Sequence, residues 1–189
     1  MAPSEKSLEG IHVLLGVTGS IAAYKAVDLA SGLARRKAEV NTVMTAAARE
    51  LVTARSFEAV TGGAAHTDMW NRAEYSIGHI GLAEWADVVV VAPATANIIS
   101  KAANGICDDL LSTVLCACWE KPLLFAPAMN ERMWRNPMVR ENVKVLTKMG
   151  AVMTGPETGR LACGDEGTGR MAECSSIIEA VERIAAARR

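Results

Sequence analysis

The stretch "DVVVVAPATAN", Asp87 to Asn97, decides the fold. Four consecutive valines leave no polar face, so a strand here must be covered on both sides, as strands of parallel sheets are. It ends in small and hydroxylated residues and runs straight into a helical pattern, "ANIISKAANG" (96–105). Outward from it, "IHVLLGV" (11–17), "EVNTVMT" (39–45), "PLLFAP" (122–127) and "AVMTG" (151–155) read as further strands. Between and after them lie helical patterns: "IAAYKAVDLASGLARR" (21–36), "AAARELVTARSFEAVTG" (46–62), "DDLLSTVLCACWE" (108–120), "PMVRENVKVLTKMG" (137–150) and "SSIIEAVERIAAARR" (175–189). Strands alternating with helices predict an α/β domain: a parallel sheet, right-handed crossovers and helices on both faces. No composition shift marks a second domain, so residues 9–189 are expected to form one unit behind a loose polar tail, residues 1–8.

Composition narrows the function classes. The 189 residues are 50% hydrophobic, ample for one buried core, and the net charge of −1 offers no field for nucleic acid or an anionic membrane. Pro93 and polar neighbours break the most apolar run well short of a membrane span. The five cysteines are odd in number and contain no Cys-x-x-Cys pair, so neither a disulfide framework nor a metal site is expected. A reduced, cytoplasmic protein is the expectation. Cys107, Cys116, Cys118 and Cys174 fall in helical patterns or at a helix start and read as small buried hydrophobes.

In open parallel sheets ligands sit at the carboxyl ends of the strands. Here those ends read "GVTGS", "MTAAA", "APATAN" and "APAMN", all small, hydroxylated or amide residues without a charge. Such a set admits close backbone approach to a flat ring and offers it neutral hydrogen bonds. The turn at Gly19–Ser20–Ile21 opens a helix, whose N-terminal amides suit one phosphate. A dinucleotide site normally has an acidic residue after its second strand, to bind a ribose hydroxyl, and a third glycine in the first turn. Thr45 and Ala22 stand at those places, so a mononucleotide fits better.

Three further residues carry chemistry. His79, before a short helix leading to the valine strand, is a candidate general acid–base. Asn130, in "PAMNERMWRNP", sits at a strand end where its amide could hold a carboxylate. Met129, Met133 and Trp134 beside it have the spacing of one face of a short helix, which alone would make them core. Cys163 lies in "LACGDEGTGRM", within a glycine-rich segment, Thr154–Met171, that has no apolar period. That length reads as a lid or binding loop.

Together, "GSIAAYK", "HIGLAEWADVVVVAPATAN", "GICDDLL", "PAMNERMW" and "RLACGDEGTGRMAE" resemble the flavin-dependent cysteine decarboxylases. Within that family the likeness is to the branch acting on phosphopantothenoylcysteine in coenzyme A biosynthesis. The resemblance implies a flavodoxin-like or Rossmann-like three-layer α/β/α domain that binds FMN. It also implies homotrimers, alone or gathered into dodecamers, with the active site at a subunit interface. By position, FMN would meet Gly19, Ser20, Ile21, Thr45, Thr95, Ala96, Asn97, Ile98 and Ala128. His79 matches the active-site histidine. Asn130 and Met133 match substrate-binding positions, Arg160, Leu161 and Ala162 a substrate clamp, and Cys163 the cysteine of a final reductive step. A phosphopantothenoylcysteine synthetase, fused or separate, is an implied partner. Alternatives are a peptidyl-cysteine decarboxylase of lantibiotic type, which stops at an enethiol, and a non-catalytic flavin-binding regulatory subunit. A plain flavodoxin-like electron carrier would need neither His79 nor Cys163.

Overall fold

The computed structural model describes residues 7–70, 78–160, 164 and 166–188. The valine run forms β4 (Val88–Ala94), every residue of it buried. It pairs in parallel with β1 (His12–Val17) on one side and β5 (Leu123–Pro127) on the other. β2 (Glu39–Met44) and a two-residue β3 (Ala65–His66) extend the sheet beyond β1, and β6 (Val152–Met153) closes the far edge. The order is β3-β2-β1-β4-β5-β6, with every neighbouring pair parallel.

Alternate residues of the central strands feed two cores. Val13, Leu15, Val17, Val88 and Val90 face α1 (Ala23–Arg35), α3 (Ala54–Thr61) and α9 (Cys174–Ala186), where Leu29, Phe57 and Ile177 are fully buried. Leu14, Val89, Val91 and Phe125 face the other layer, formed by α4 (His79–Trp85), α5 (Ala96–Asn104), α6 (Leu110–Ala117) and α8 (Pro137–Lys148). The result is the three-layer, doubly wound arrangement of the flavodoxin-like and Rossmann-like folds. Burial on both faces is why the valine run has no alternation. The chain winds outward from β1 through β3, then returns to β4 and winds the other way. The switch point therefore lies between β1 and β4.

Several sequence expectations need correction. The single helix expected over 46–62 is two, α2 (Ala46–Arg49) and α3, because Thr53 is extended (ψ 150°) and starts a new helix. β3 was not legible, since two residues show no periodicity. Thr154–Met171 is not a plain loop: Glu157–Arg160 (β7) and Glu166–Arg170 (β8) pair as an antiparallel ribbon. Cys107 and Cys116 are exposed rather than buried, and Cys174 is half-buried. Of these four, only Cys118 is a fully buried hydrophobe, and burial pushes its thiol up to about 11. Leu8, the last residue of the expected tail, is buried and donates its N–H to the carbonyl of Arg36 (2.7 Å).

Candidate active site at the sheet's carboxyl edge

Three turns meet at the switch point. The Thr18 hydroxyl, buried after β1, donates to the Pro93 carbonyl of β4 (2.7 Å) and accepts from the Thr95 N–H (3.2 Å). The Thr45 N–H donates to the Val17 carbonyl (3.0 Å), which brings the end of β2 to the same place. Thr45 and Thr95 are helix caps: their hydroxyls accept from the N–H of Ala48 (3.3 Å) and Ile98 (3.4 Å). Gly19 is required by close approach, since a Cβ there would lie 2.4 Å from the Cβ of Ala47. On the other side the Ala128 N–H donates to the Ala94 carbonyl (3.0 Å), linking the end of β5 to the end of β4.

These turns leave a neutral set of donors facing the crevice. Among the described residues, the N–H groups of Gly19, Ile21, Ala96 and Asn97 donate to no protein acceptor. Ser20 and Asn97 are accessible, while Ile98 is 1% exposed and belongs to the core, so its contribution can come only from its backbone. Ala96 and Ala128 are likewise buried, with only backbone to offer. Unpaired amides at first helical turns suit a phosphate, and the small uncharged residues suit a flat neutral ring. The turns expected to hold FMN therefore adjoin at one edge of the sheet, and their chemistry fits that group.

The remaining site residues arrive from two other directions. His79 is the first residue of α4, not a loop residue preceding it, and is half-buried. α4 is the crossover helix into β4, so its N-terminus lies at the sheet's carboxyl edge. Asn130 caps α7 (Glu131–Trp134): its side-chain oxygen accepts from the Arg132 N–H (2.8 Å). That bond fixes the amide's orientation, so the group Asn130 can present to a carboxylate is its N–H end. Trp134 is buried, as core spacing predicts, but Met133 is 48% exposed and is not core.

The β7–β8 ribbon supplies a wall that the sequence reading missed. The Met129 N–H donates to the Gly169 carbonyl (2.9 Å), and a Cβ at Gly169 would lie 2.1 Å from the Met129 carbonyl oxygen. β8 is thus pressed backbone to backbone against the turn that carries Asn130. The alternation of glycines in "EGTGR" (166–170), with Gly167 and Gly169 both buried, was the available signal. Thr158 and Thr168 share a cross-strand hydrogen bond (2.9 Å), and Arg170 bridges Glu157 (3.2 Å) and Glu173. Arg160 is exposed at the end of β7. Leu161, Ala162 and Cys163 lie outside the described residues. No cluster of potential metal ligands and no helix long and apolar enough to cross a membrane occurs among the described residues.

Fold and turns together define a doubly wound α/β protein with a nucleotide-type set of backbone donors at its strand ends and a ribbon packed on the Asn130 turn. The chain belongs to the family described as Flavoprotein, whose model matches residues 1–186. It is 43% identical over 180 residues to the coenzyme A biosynthesis bifunctional protein CoaBC of Vibrio vulnificus (strain YJ016), covering 95% of this chain but 45% of that one. The chain therefore spans less than half the length of that relative. Among solved structures it is similar to a PPC decarboxylase mutant complexed with pantothenoylaminoethenethiol (TM-score 0.82, 38% identity, 92% of this chain and 97% of that one). It is also similar to the FMN binding protein AtHal3 (TM-score 0.81, 37% identity, 95% and 98% covered).

Proposed function

We propose that this chain is an FMN-binding phosphopantothenoylcysteine decarboxylase, converting 4′-phosphopantothenoyl-L-cysteine to 4′-phosphopantetheine and CO2 in coenzyme A biosynthesis. The observation that carries the reading is the ribbon pinned on the Asn130 turn beside the neutral crevice. It supports a reading in which the Asn130 amide holds a carboxylate beside the flavin. The similarity to CoaBC and to the PPC decarboxylase supports the substrate.

An α-amido carboxylate has no electron sink, so direct loss of CO2 would leave an unstabilised carbanion. FMN bound there would supply a two-electron couple, for oxidation of the cysteine side chain to a thioaldehyde and for the later return of the electrons. With the Cβ carbon oxidised to the C=S level, the carboxylate is β to a C=S bond, and CO2 leaves as its electron pair passes onto sulfur, giving an enethiolate. The residues of this chain position and move protons. Gly19, Ser20, Ile21, Thr45 and the Thr95–Ile98 turn hold the cofactor, with Ala128 beside them. His79 handles the proton of the oxidative half. Asn130 holds the substrate carboxylate in line, Met133 lies against the substrate, and Arg160 with Leu161 and Ala162 closes the clamp. Cys163 donates a proton as the enethiolate is reduced to the saturated thiol. Across the cycle one C–C bond breaks, one C–H bond forms, and no electrons are consumed.

Residues 9 onward act as one FMN-binding domain in this reading. Its assembly as trimers, alone or within a dodecamer, is supported by large apolar side chains left exposed near the carboxyl edge: Ile21, Tyr24, Trp70 and Ile80. A synthetase is the partner that the bifunctional relatives point to. The test is to incubate the purified yellow protein with phosphopantothenoylcysteine and follow CO2 and product mass. Release of CO2 with formation of phosphopantetheine is expected. No turnover of that substrate, with turnover of a cysteine-ended peptide, would overturn the reading in favour of the lantibiotic-type alternative.

A further inference from the structure

The segment that carries Asn130 also carries Arg132, Arg135 and Arg140, none with a role in the chemistry above, and the last two share a hollow. Arg135 closes α7 and Arg140 lies in the first turn of α8. With Glu131, Trp134 and Thr168 they line an open hollow of about 360 Å³. Trp134 forms its floor, and Thr168 brings in the ribbon that packs on the Asn130 turn.

One of the two guanidiniums is held by a ring, and neither is neutralised. Arg140 lies over the Trp134 ring, its guanidinium carbon 4.7 Å from the ring centroid, which fixes the group at the hollow. Among the described residues, neither Arg135 nor Arg140 has a carboxylate within ion-pair distance. The one acid in the lining, Glu131, directs its carboxylate at Gly167, where a Cβ would lie 2.7 Å from Oε2. Two cations against one anion leave the lining net positive, although the chain as a whole carries −1. Paired guanidinium forks match the oxygens of a phosphate monoester better than any neutral or cationic group.

The position fits one end of a long substrate. Asn130 and Arg135 cap opposite ends of α7, about 7 Å apart along its axis at 1.5 Å per residue. The arginine side chains extend that reach. An acyl-cysteine with the backbone length of about four residues extends about 14 Å. It can place its carboxylate at Asn130 and its far terminus in the hollow.

We propose that this hollow is the subsite for the phosphate monoester at the far end of the acyl-cysteine substrate, with Arg135 and Arg140 as its recognition residues. The inference rests on the decarboxylase reading above. It makes these two side chains the determinants of preference for a phosphorylated small molecule over a dephosphorylated one or a peptide.

The test compares the FMN-loaded protein with Arg135→Gln, Arg140→Gln and the double variant. Equilibrium dialysis measures the ratio of Kd values for pantetheine and 4′-phosphopantetheine, and steady-state kinetics measures KM and kcat for phosphopantothenoylcysteine. The wild-type protein is expected to favour the phosphorylated ligand, and each substitution to lower that ratio about tenfold, the scale of one charge-assisted hydrogen bond. The kinetic loss falls on KM rather than kcat, and Arg140→Lys restores part of it. A wild-type ratio of one, or a ratio unchanged in the double variant, overturns the subsite. Failure of the decarboxylase reading shows separately, as absence of CO2 release. CO2 release with an undiminished phosphate preference in the double variant defeats the subsite alone.

Discussion

Gly169→Ala tests whether the ribbon is part of the site or only adjacent to it. The added methyl would sit 2.1 Å from the Met129 carbonyl oxygen, a backbone atom that no rotamer change can move aside. Contacts of this kind are not found below about 3 Å, so β8 and the Met129–Asn130 turn must separate by roughly 1 Å. That separation stretches the 2.9 Å bond from the Met129 N–H to the Gly169 carbonyl. Overpacking of this type costs about 1–3 kcal/mol. In a chain of this length each kcal/mol lowers Tm by about 2–4 °C. The functional effect is larger, because a 1 Å misplacement of a positioning group can lower a rate about 100-fold. The expected result is a loss of about 10- to 100-fold in kcat/KM for decarboxylation, with the flavin still bound, since every residue of the flavin set except Ala128 lies on other turns, and Ala128 is tied separately to Ala94. Gly167→Ala is the control: its methyl meets the carboxylate of Glu131 at 2.7 Å, the far end of a side chain that can turn away, and the Glu131 Cβ at 3.2 Å, which has to give only slightly. It should lose less than about a third as much on a logarithmic scale. Equal losses in the two variants, or wild-type kcat/KM in Gly169→Ala with an intact fold by circular dichroism, would refute the coupling between ribbon and Asn130.

Three other outcomes follow from the residues. Cys163→Ser should still release CO2 but stop at the unsaturated thiol, detected by product mass in a single turnover; normal steady-state yield of phosphopantetheine removes Cys163 from the reductive step. His79→Asn should retain FMN yet fail to bleach the 450 nm-region flavin absorbance on adding substrate, by about 100-fold or more in rate. Bleaching at the wild-type rate would make His79 structural. Asp109 caps α6 and bonds Lys101 (2.9 Å). Burial alone would raise its pKa, but the Ser112 and Lys101 hydrogen bonds outweigh that and hold the carboxyl below its usual range. A depressed carboxyl adds stability above its unfolded pKa of about 3.9, and that stability is lost as pH falls through the folded value. Urea unfolding from pH 7 down to pH 3 should therefore show a shallower acid decline for Asp109→Asn than for wild type. Parallel curves contradict the assignment.

The part of this molecule legible in its sequence is the part governed by periodicity. β4 was readable because both faces of a central strand must be apolar, and α1, α5, α6, α8 and α9 because a covering helix buries one face. The cofactor turns were readable because they follow strands, and parallel topology alone delivers every strand end to one edge. The ribbon obeys neither rule. It buries backbone rather than side chains: Gly167 and Gly169 face inward and Thr168 does not, so the alternation carries no hydrophobic signal. Its partner is a turn about forty residues earlier, joined to it by main-chain contact that composition does not record.

The same difference explains why the crevice and the ribbon do different work. Backbone amides at helix starts, as at Gly19–Ile21 and Thr95–Asn97, bind a group common to many nucleotide ligands. They specify a cofactor class and tolerate many reactions. In the proposed function, reaction and substrate are set by groups held from outside the sheet: His79 on the incoming crossover helix, Asn130 at the start of a four-residue helix, and the ribbon pressed against it. In a doubly wound fold the strand ends are fixed by topology, whereas these outer groups can be exchanged without disturbing β1 or β4. Selectivity for one acyl-cysteine over another should therefore respond to changes in Glu131–Arg140 and β7–β8. Substitutions confined to Thr45 or Thr95 should instead change flavin occupancy while leaving the relative kcat/KM of two substrates within about twofold. A Thr45→Val or Thr95→Val variant that kept its flavin and reversed substrate preference would break this division.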